Sequence, residues 1–376
     1  MVALGFSEEQ EDLRETVRLF LEEKSPESEV RRLMETDDGY DPAVWRQMAG
    51  QLGLHGLIIP EEFGGSGYTF AELAVVLEEM GRSLLCSPFF ATVVLAAGLL
   101  LSTDDDIARQ DYLPGIASGS TVATVALAEE SGRWDEQGIA LSAVRSADYW
   151  TLAGEKYFVL DGHVADLIFV AARTDLGVSV FAVERGAAGL TAVPLSAMDQ
   201  TRKQARLVFN SVPARLIGTD GQGWAALSRM LELAAVALAA EQVGGAQKVL
   251  DMAVEYARIR VQFGRPIGSF QAIKHKCADM VLKVESAKSA AYFATQAAAA
   301  DSDDLPVAAS LAKSYCSEAY LHAAAENIQI HGGIGFTWEH PAHLYFKRAK
   351  TSQHLFGDPA YHRRLIADRL GLAVTA

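Results

Sequence analysis

Cysteine is scarce in this chain, three of 376 residues. Cys86, Cys277 and Cys316 stand far apart with no C-x-x-C spacing. That argues against a disulfide framework or a thiolate zinc site and fits buried thiols in a reducing compartment. Cationic excess is also missing. The formal net charge is −15, so nucleic-acid phosphates or an anionic membrane would need a local basic patch. Basic residues do gather near the C-terminal end (Lys347, Arg348, Lys350, Arg363, Arg364, Arg369), as solvated helix faces or as a seat for an anionic ligand. The opening MVALGFSEEQEDL lacks the basic-then-apolar build of a signal peptide. The longest apolar run, Phe89 to Leu101, is too short to span a bilayer. The expectation is a cytoplasmic protein with no membrane span and no nucleic-acid partner. Glu339, His340 and His343 lack the H-E-x-x-H spacing and Pro341 intervenes, so no metal is expected.

What remains is the profile of a globular protein, half apolar and 22% charged, long enough for two or three domains. Ser7 with Gln10, and Thr69 with Glu72, form capping boxes ahead of amphipathic helices. Between them IIPEEFGGSG, residues 58 to 67, is a Pro- and Gly-rich connection without the Walker lysine or the Rossmann spacing. A further apolar helix runs from Pro88 to Ser102. From about Thr121 to Gly221 the texture changes to short β-branched and aromatic runs: TVATVALAE, DYWTLAGEKYFVL, ADLIFVAA, VSVFAVE, GLTAVPL and QARLVFNSV. They read as an all-β segment. Proline is absent from Gly223 to Phe263, where Ala, Leu and Val predict one helix of about 60 Å at 1.5 Å per residue. Helical segments at about 269–300, 304–330 and 342–370, the last broken at Gly357, complete an antiparallel four-helix bundle. The expected fold class is α+β multidomain: an N-terminal helical domain (1–120), a middle antiparallel β domain (121–222) and a C-terminal bundle (223–376).

Two stretches carry ligand chemistry. In YARIRVQFGRPIGSFQAIKHKCADM, residues 256–280, the long helix, with Val249, Leu250, Ala253, Ala257 and Val261 on its face, is stopped by Gly264-Arg265-Pro266. Ser269 can cap the next helix. Arg260, Gln262 and Phe263 stand at the corner, with Gln271 one turn on. One cation, two amides and an aromatic face suit a charged, planar ligand; a polar helix corner is the plainer alternative. In QIHGGIGF, Gln329 to Phe336, consecutive glycines admit an anion or a polar ring edge to the backbone, or end the helix as a simple cap.

The pattern R-x-Q-F-G-R-P-I-G-S-F-Q-A-I-K-H resembles the signature of the acyl-CoA dehydrogenase family of flavoproteins, and the likeness extends over nearly the whole chain. The resemblance implies FAD as cofactor, with Arg260, Gln262, Phe263 and Gln271 around its ADP half. It implies that Gln329, Gly332 and Gly333 reach the adenosine portion from a neighbouring subunit. Phe158, in the strand GEKYFVLDG, takes the aromatic position beside the flavin, and the turn Asp199 to Arg202 is a further family landmark. The reaction implied is removal of the α-proton of an acyl-CoA thioester with hydride transfer from the β-carbon, electrons passing to an electron-transfer flavoprotein. The assembly implied is a homotetramer or dimer, or a heterotetramer with a homologous subunit.

The departures from the family pattern cluster at the base. Aligning AKTSQHLFGD places Phe356 where the usual Glu stands, and the alternative position on the first bundle helix holds Ala234. The family's T-E-P-G-A-G-S-D turn is here AEESGRWD, Ala128 to Asp135, without the hydroxyls at its first and seventh positions. Leu160 replaces a neighbouring Thr or Ser. Glu241, in VALAAEQVGG, stands two turns beyond Ala234 on the same face. Gly244 and Gly245 leave space beside it and no cation to pair with, so Glu241 is the candidate base, or else a structural Glu bonded to an Arg of another helix or subunit. Asp358-Pro359 reads better as a helix cap. The resulting expectation is an acyl-CoA dehydrogenase; its alternatives are a base-less subunit completing a partner's FAD site, and a related flavin oxidase or monooxygenase.

Overall fold

The computed structural model describes residues 7–146 and 149–372. In chain order, helices α1 (Glu8–Lys24), α2 (Glu27–Met34), α3 (Pro42–Gly50), α4 (Phe70–Arg82), α5 (Gly98–Leu101) and α6 (Asp106–Ala117) come first. A π-helical run, Phe90–Ala97, leads into α5. Strands β1 (Ala123–Ala126), β2 (Ser142–Ser146), β3 (Tyr149–Leu160), β4 (Leu167–Arg173), β5 (Val178–Glu184), β6 (Leu190–Pro194) and β7 (Gln204–Ile217) come next. The chain ends with α7 (Gly223–Ile259), the two-residue strands β8 (Val261–Gln262) and β9 (Arg265–Pro266), and helices α8 (Gln271–Ala299), α9 (Leu305–His331), α10 (Ala342–His354) and α11 (Pro359–Arg369).

By compactness the chain divides into two units. One holds α1, α4 and the chain from Ala235 onward; the other holds Arg31–Thr69 and Cys86–Ala234.

In the second unit the pairings β4–β5, β5–β7, β7–β3 and β3–β2 return to β4 through Ser142 and Arg173, so the sheet closes on itself. Its interior is filled by Leu152, Ile168, Phe181, Leu207 and Phe209. Strand β1 departs from the antiparallel expectation. It lies parallel to β4, from Ala123 opposite Leu167 to Ala126 opposite Val170, because it enters from the preceding helices and not from a hairpin. Strand β2 lies outside the expected runs, since S-A-V-R-S is too polar to stand out. In the GGSG loop the amides of Ser66, Gly67 and Tyr68 are spent on the carbonyls of Gly56, Ile59 and Leu57. It is a turn.

In the first unit α1 opens with the Ser7–Gln10 capping box. Helix α7, which belongs to this unit from Ala235 on, runs 37 residues, and it is long and apolar enough to cross a membrane by length and composition. Run length missed this because Arg229, Glu232 and Glu241 interrupt it; most of the helix is buried. It ends at Ile259, so Val261, expected on its apolar face, is instead exposed in β8. Phe263 (φ 53°) and Gly264 (φ 77°) are both left-handed, the two-residue loop geometry that closes a tight hairpin. Ser269 does not cap α8. Phe270 occupies the N-cap without a side-chain bond, because Ile267–Ser269 forms a short 3₁₀ turn first. Cys86 and Cys316 are buried, while Cys277 is only half-buried on α8.

Helices α4 and α7 approach backbone to backbone. A Cβ on Gly81 would lie 2.0 Å from the Glu241 carbonyl oxygen, and one on Gly244 would lie 1.8 Å from that of Glu78. Gly244→Ala therefore forces the helices apart and costs about 3 kcal/mol or more, read as a fall in the urea midpoint. Gly98→Ala, where a Cβ meets nothing within 4 Å, leaves the midpoint unchanged or raised.

Candidate functional site

Both glycine-bearing stretches end up at one end of the bundle unit. The α7 terminus leads into the hairpin; one backbone bond ties its start to the 3₁₀ turn beyond it and a second closes that turn. Ile267 N–H donates to Arg260 O (2.8 Å) and Phe270 N–H to Ile267 O (3.1 Å). Arg265 stacks its guanidinium over Phe270 at 4.1 Å, and the Phe270 ring meets Phe263 edge-on at 6.0 Å. The C-terminus of α9 joins this end through His331, whose ring stacks on Tyr256 with centroids 4.2 Å apart. Burial pushes the His331 pKa down, against the pull of its Nδ1 bond to Asn327 O (2.8 Å). Tyr256 lies one turn before Arg260, so this stack couples the two stretches within a single chain. The residue identities alone do not reveal it; only the helix ends brought together do.

The donor set here is open to solvent. Arg260, Gln262, Gln271 and Gln329 are exposed, and their side chains make no hydrogen bond or ion pair within the described chain. Phe263 is 90% exposed on its left-handed residue, a conformation and exposure that an aromatic pays for only when something covers it. Gly332 and Gly333 have nothing within 4 Å of where a Cβ would stand. A guanidinium, three amides, an uncovered ring and bare backbone fit the phosphates and heteroaromatic edge of a dinucleotide.

Phe158 stands on the other unit. The β3–β7 register shifts between Lys156 and Val159, and this bulge puts Phe158 at φ 57° and 39% exposed. In the AEESGRWD turn Glu129 anchors the segment to its own domain. Its Oε1 accepts from Lys156 Nζ (2.8 Å) and from the amides of Ala140 and Leu141 (2.8 and 2.9 Å). Desolvation works against the carboxylate, but Lys156 and the amides outweigh it and hold its pKa below the ordinary value. Lys156 itself is pushed down to about 8 by burial, despite Glu129.

The expectation that Glu241 lacks a cation and has open space beside it requires a correction, and its alternative, bonding to an Arg of another helix, is what the structure shows. Arg348 on α10 places Nη1 3.1 Å from Glu241 Oε1, with both side chains buried. The expected space beside it is also filled, by the Glu78 carbonyl against Gly244 and the Tyr320 ring against Gly245. The sequence shows Arg348 among the C-terminal basics but not that α10 delivers it to α7. Phe356 and Ala234 are buried. Asp358 caps α11, accepting from Tyr361 N–H (2.7 Å) with Pro359 next. His340 is turned to the Ala342 amide and the His331 ring, and among the described residues no three metal-ligating side chains converge.

Breaking the buried Glu241–Arg348 pair strands one charge. Arg348→Met is expected to cost about 3–5 kcal/mol, and Glu241→Gln with Arg348→Met together less than either alone, checked by urea denaturation of the three variants.

Comparison with known proteins accounts for this architecture. Models of the acyl-CoA dehydrogenase N-terminal, middle and C-terminal domains match residues 7–120, 124–212 and 221–371. The acyl-CoA dehydrogenase IpdE2 of Mycolicibacterium smegmatis is 38% identical, over 96% of this chain and 99% of that protein. Butyryl-CoA dehydrogenase from Megasphaera elsdenii superposes with a TM-score of 0.91 at 27% identity, over 97% of this chain and 99% of that one. A chain of the ChsE4–ChsE5 complex from Mycobacterium tuberculosis gives 0.90 at 29% identity, over 99% and 100%.

Proposed function

The chain belongs to the acyl-CoA dehydrogenase family, and from that premise we propose that it takes part in α,β-dehydrogenation of an acyl-CoA thioester to the 2,3-enoyl-CoA. FAD is its cofactor, as throughout the family. The observation that carries the reading is the unengaged donor set at the bundle end. In this reading Arg260 pairs with the pyrophosphate, and Gln262, Gln271 and Gln329 bond the polar edges of the nucleotide. Phe263 offers its face, Gly332 and Gly333 admit the nucleotide to the backbone, and Phe158 stands beside the flavin ring. Bound FAD supplies the acceptor for the β-hydride. An electron-transfer flavoprotein takes the electrons onward.

Removal of the α-proton needs a carboxylate. Phe356 and Ala234 cannot accept a proton, and Glu241 can act only by giving up Arg348. That ion pair favours a second arrangement, in which a partner chain supplies the base and this chain completes the FAD site. The likeness to a chain of the ChsE4–ChsE5 complex supports an assembly of two components.

The test reconstitutes the chain with FAD, alone and with its co-purifying partner, and follows enoyl-CoA formation over an acyl-CoA panel. A fall of about 10²–10⁴-fold in Glu241→Gln with FAD retained assigns the base to Glu241. Activity that needs the second polypeptide and survives Glu241→Gln assigns the base to the partner. No enoyl-CoA from any thioester, with FAD bound and the partner present, overturns the proposal. Arg260→Ala is expected to weaken FAD binding about tenfold or more by loss of a charge-assisted contact, measured by flavin fluorescence titration.

A further inference from the structure

The bundle unit buries a lysine that neither the cofactor nor the base reading uses. Lys313, on α9, has no exposed surface, and within the described chain no carboxylate comes within ion-pair distance of it. Its Nζ stands 3.0 Å from Ser317 Oγ, 3.2 Å from Gln353 O and 3.0 Å from Gly357 O. Both carbonyls belong to the corner between α10 and α11, where Phe356 (φ 59°) and Gly357 (φ 102°) take left-handed backbone. Beside them buried His362 donates from Nε2 to Phe356 O (3.1 Å). Three corner carbonyls are thus satisfied by two buried side chains.

Counting hydrogen bonds separates the protonation states of Lys313. An ammonium spends its three N–H groups on the three acceptors. A neutral amine spends two on the carbonyls, and its lone pair accepts from the Ser317 hydroxyl, whose oxygen in turn accepts from Gln242 Nε2 at 3.0 Å. The neutral network satisfies the amine and both carbonyls, giving up only the long Ser317 Oγ to Gln242 Oε1 contact (3.4 Å), and avoids a buried charge with no carboxylate at ion-pair distance.

Among the described residues no carboxylate facing Lys313 reaches ion-pair distance; Asp358 and the Cys316 thiol pull its pKa up from farther off, and burial outweighs them. On α9 the Cys316 thiol, turned to Ala287 O of α8 (3.3 Å), is pushed up to about 12 by burial. On α10 burial lowers His354. On α11 His362 is pushed down to about 3, again by burial first, and Asp358 is engaged by the Tyr361 amide. Helix α7 presents uncharged Gln242, its neighbour Glu241 being held by Arg348.

We propose that Lys313 is a proton-released latch on the α10–α11 corner: the neutral amine holds the corner shut, and protonation lets it open. Burial takes the closed-state lysine down to about 7 from 10.5. In an opened corner the amine meets water and titrates as an ordinary lysine. Between those two values the open form binds one proton more than the closed form. Opening is therefore suppressed at high pH and grows about tenfold for each pH unit of fall toward 7, where the contribution of Lys313 levels off; below that His362, released from burial, takes up a proton of its own.

Hydrogen exchange on the FAD-loaded assembly between pH 7 and 9.5, above the range in which His362 titrates, reads this directly. Opening constants for the amides of Gly357, Tyr361 and His362 are corrected for intrinsic exchange and referred to strand β4. The expected result is a corner roughly a hundredfold more open at pH 7 than at pH 9, and a pH-independent corner in Lys313→Met. A wild-type opening constant equal at pH 7 and 9, or a slope that survives in Lys313→Met, overturns the proposal. Should the variant not fold, the wild-type profile decides alone.

Discussion

Helices α4 and α7 meet backbone to backbone, and much of the bundle unit's chemistry depends on that contact. Gly81 leaves room for the carbonyl and Cγ of Glu241, and Gly244 receives the carbonyl of Glu78. Any side chain at either glycine would fill the crossing. With its helix set this close, Glu241 is buried, and Arg348 supplies the charge that its burial demands. The same glycines that look in sequence like space beside a carboxylate are the means by which that space is removed.

At the far end of α7 the logic reverses. The hairpin between β8 and β9 turns through two left-handed residues and holds Phe263 out of the protein. Polar groups left without protein partners cost little in water, so Arg260 and the glutamines are free to remain unengaged until a ligand takes them. Their positions are nevertheless fixed by rigid neighbours. Arg265 packs on Phe270, and Tyr256 on His331, so the donors are exposed but anchored.

Buried charge is managed in three ways. Lys156 has a carboxylate, Glu129, which two backbone amides also hold. Glu241 has a guanidinium. Lys313 has only neutral acceptors, and for it the low dielectric acts on the proton itself. The first two arrangements set a charge of opposite sign against the buried ion; the third does not.

The succession of a helical, a β and a second helical segment, the capping box at Ser7, the cap at Asp358 and the two glycine-bearing turns were legible from the sequence, because each depends on residues close along the chain or on the backbone freedom of one glycine. The family likeness rested on the same short-range patterns. Beyond local range the reading failed in particular places. Helix α7 stops at Ile259 because Phe263 adopts a left-handed turn that its side chain does not advertise. Strand β1 pairs in parallel because of where the chain enters the sheet. Above all, the partner of Glu241 lies 107 positions away. Local sequence determines which residues form a helix and which face is apolar; which cation reaches a buried carboxylate is decided only when helices pack, because desolvation and Coulomb attraction act through space and not along the chain.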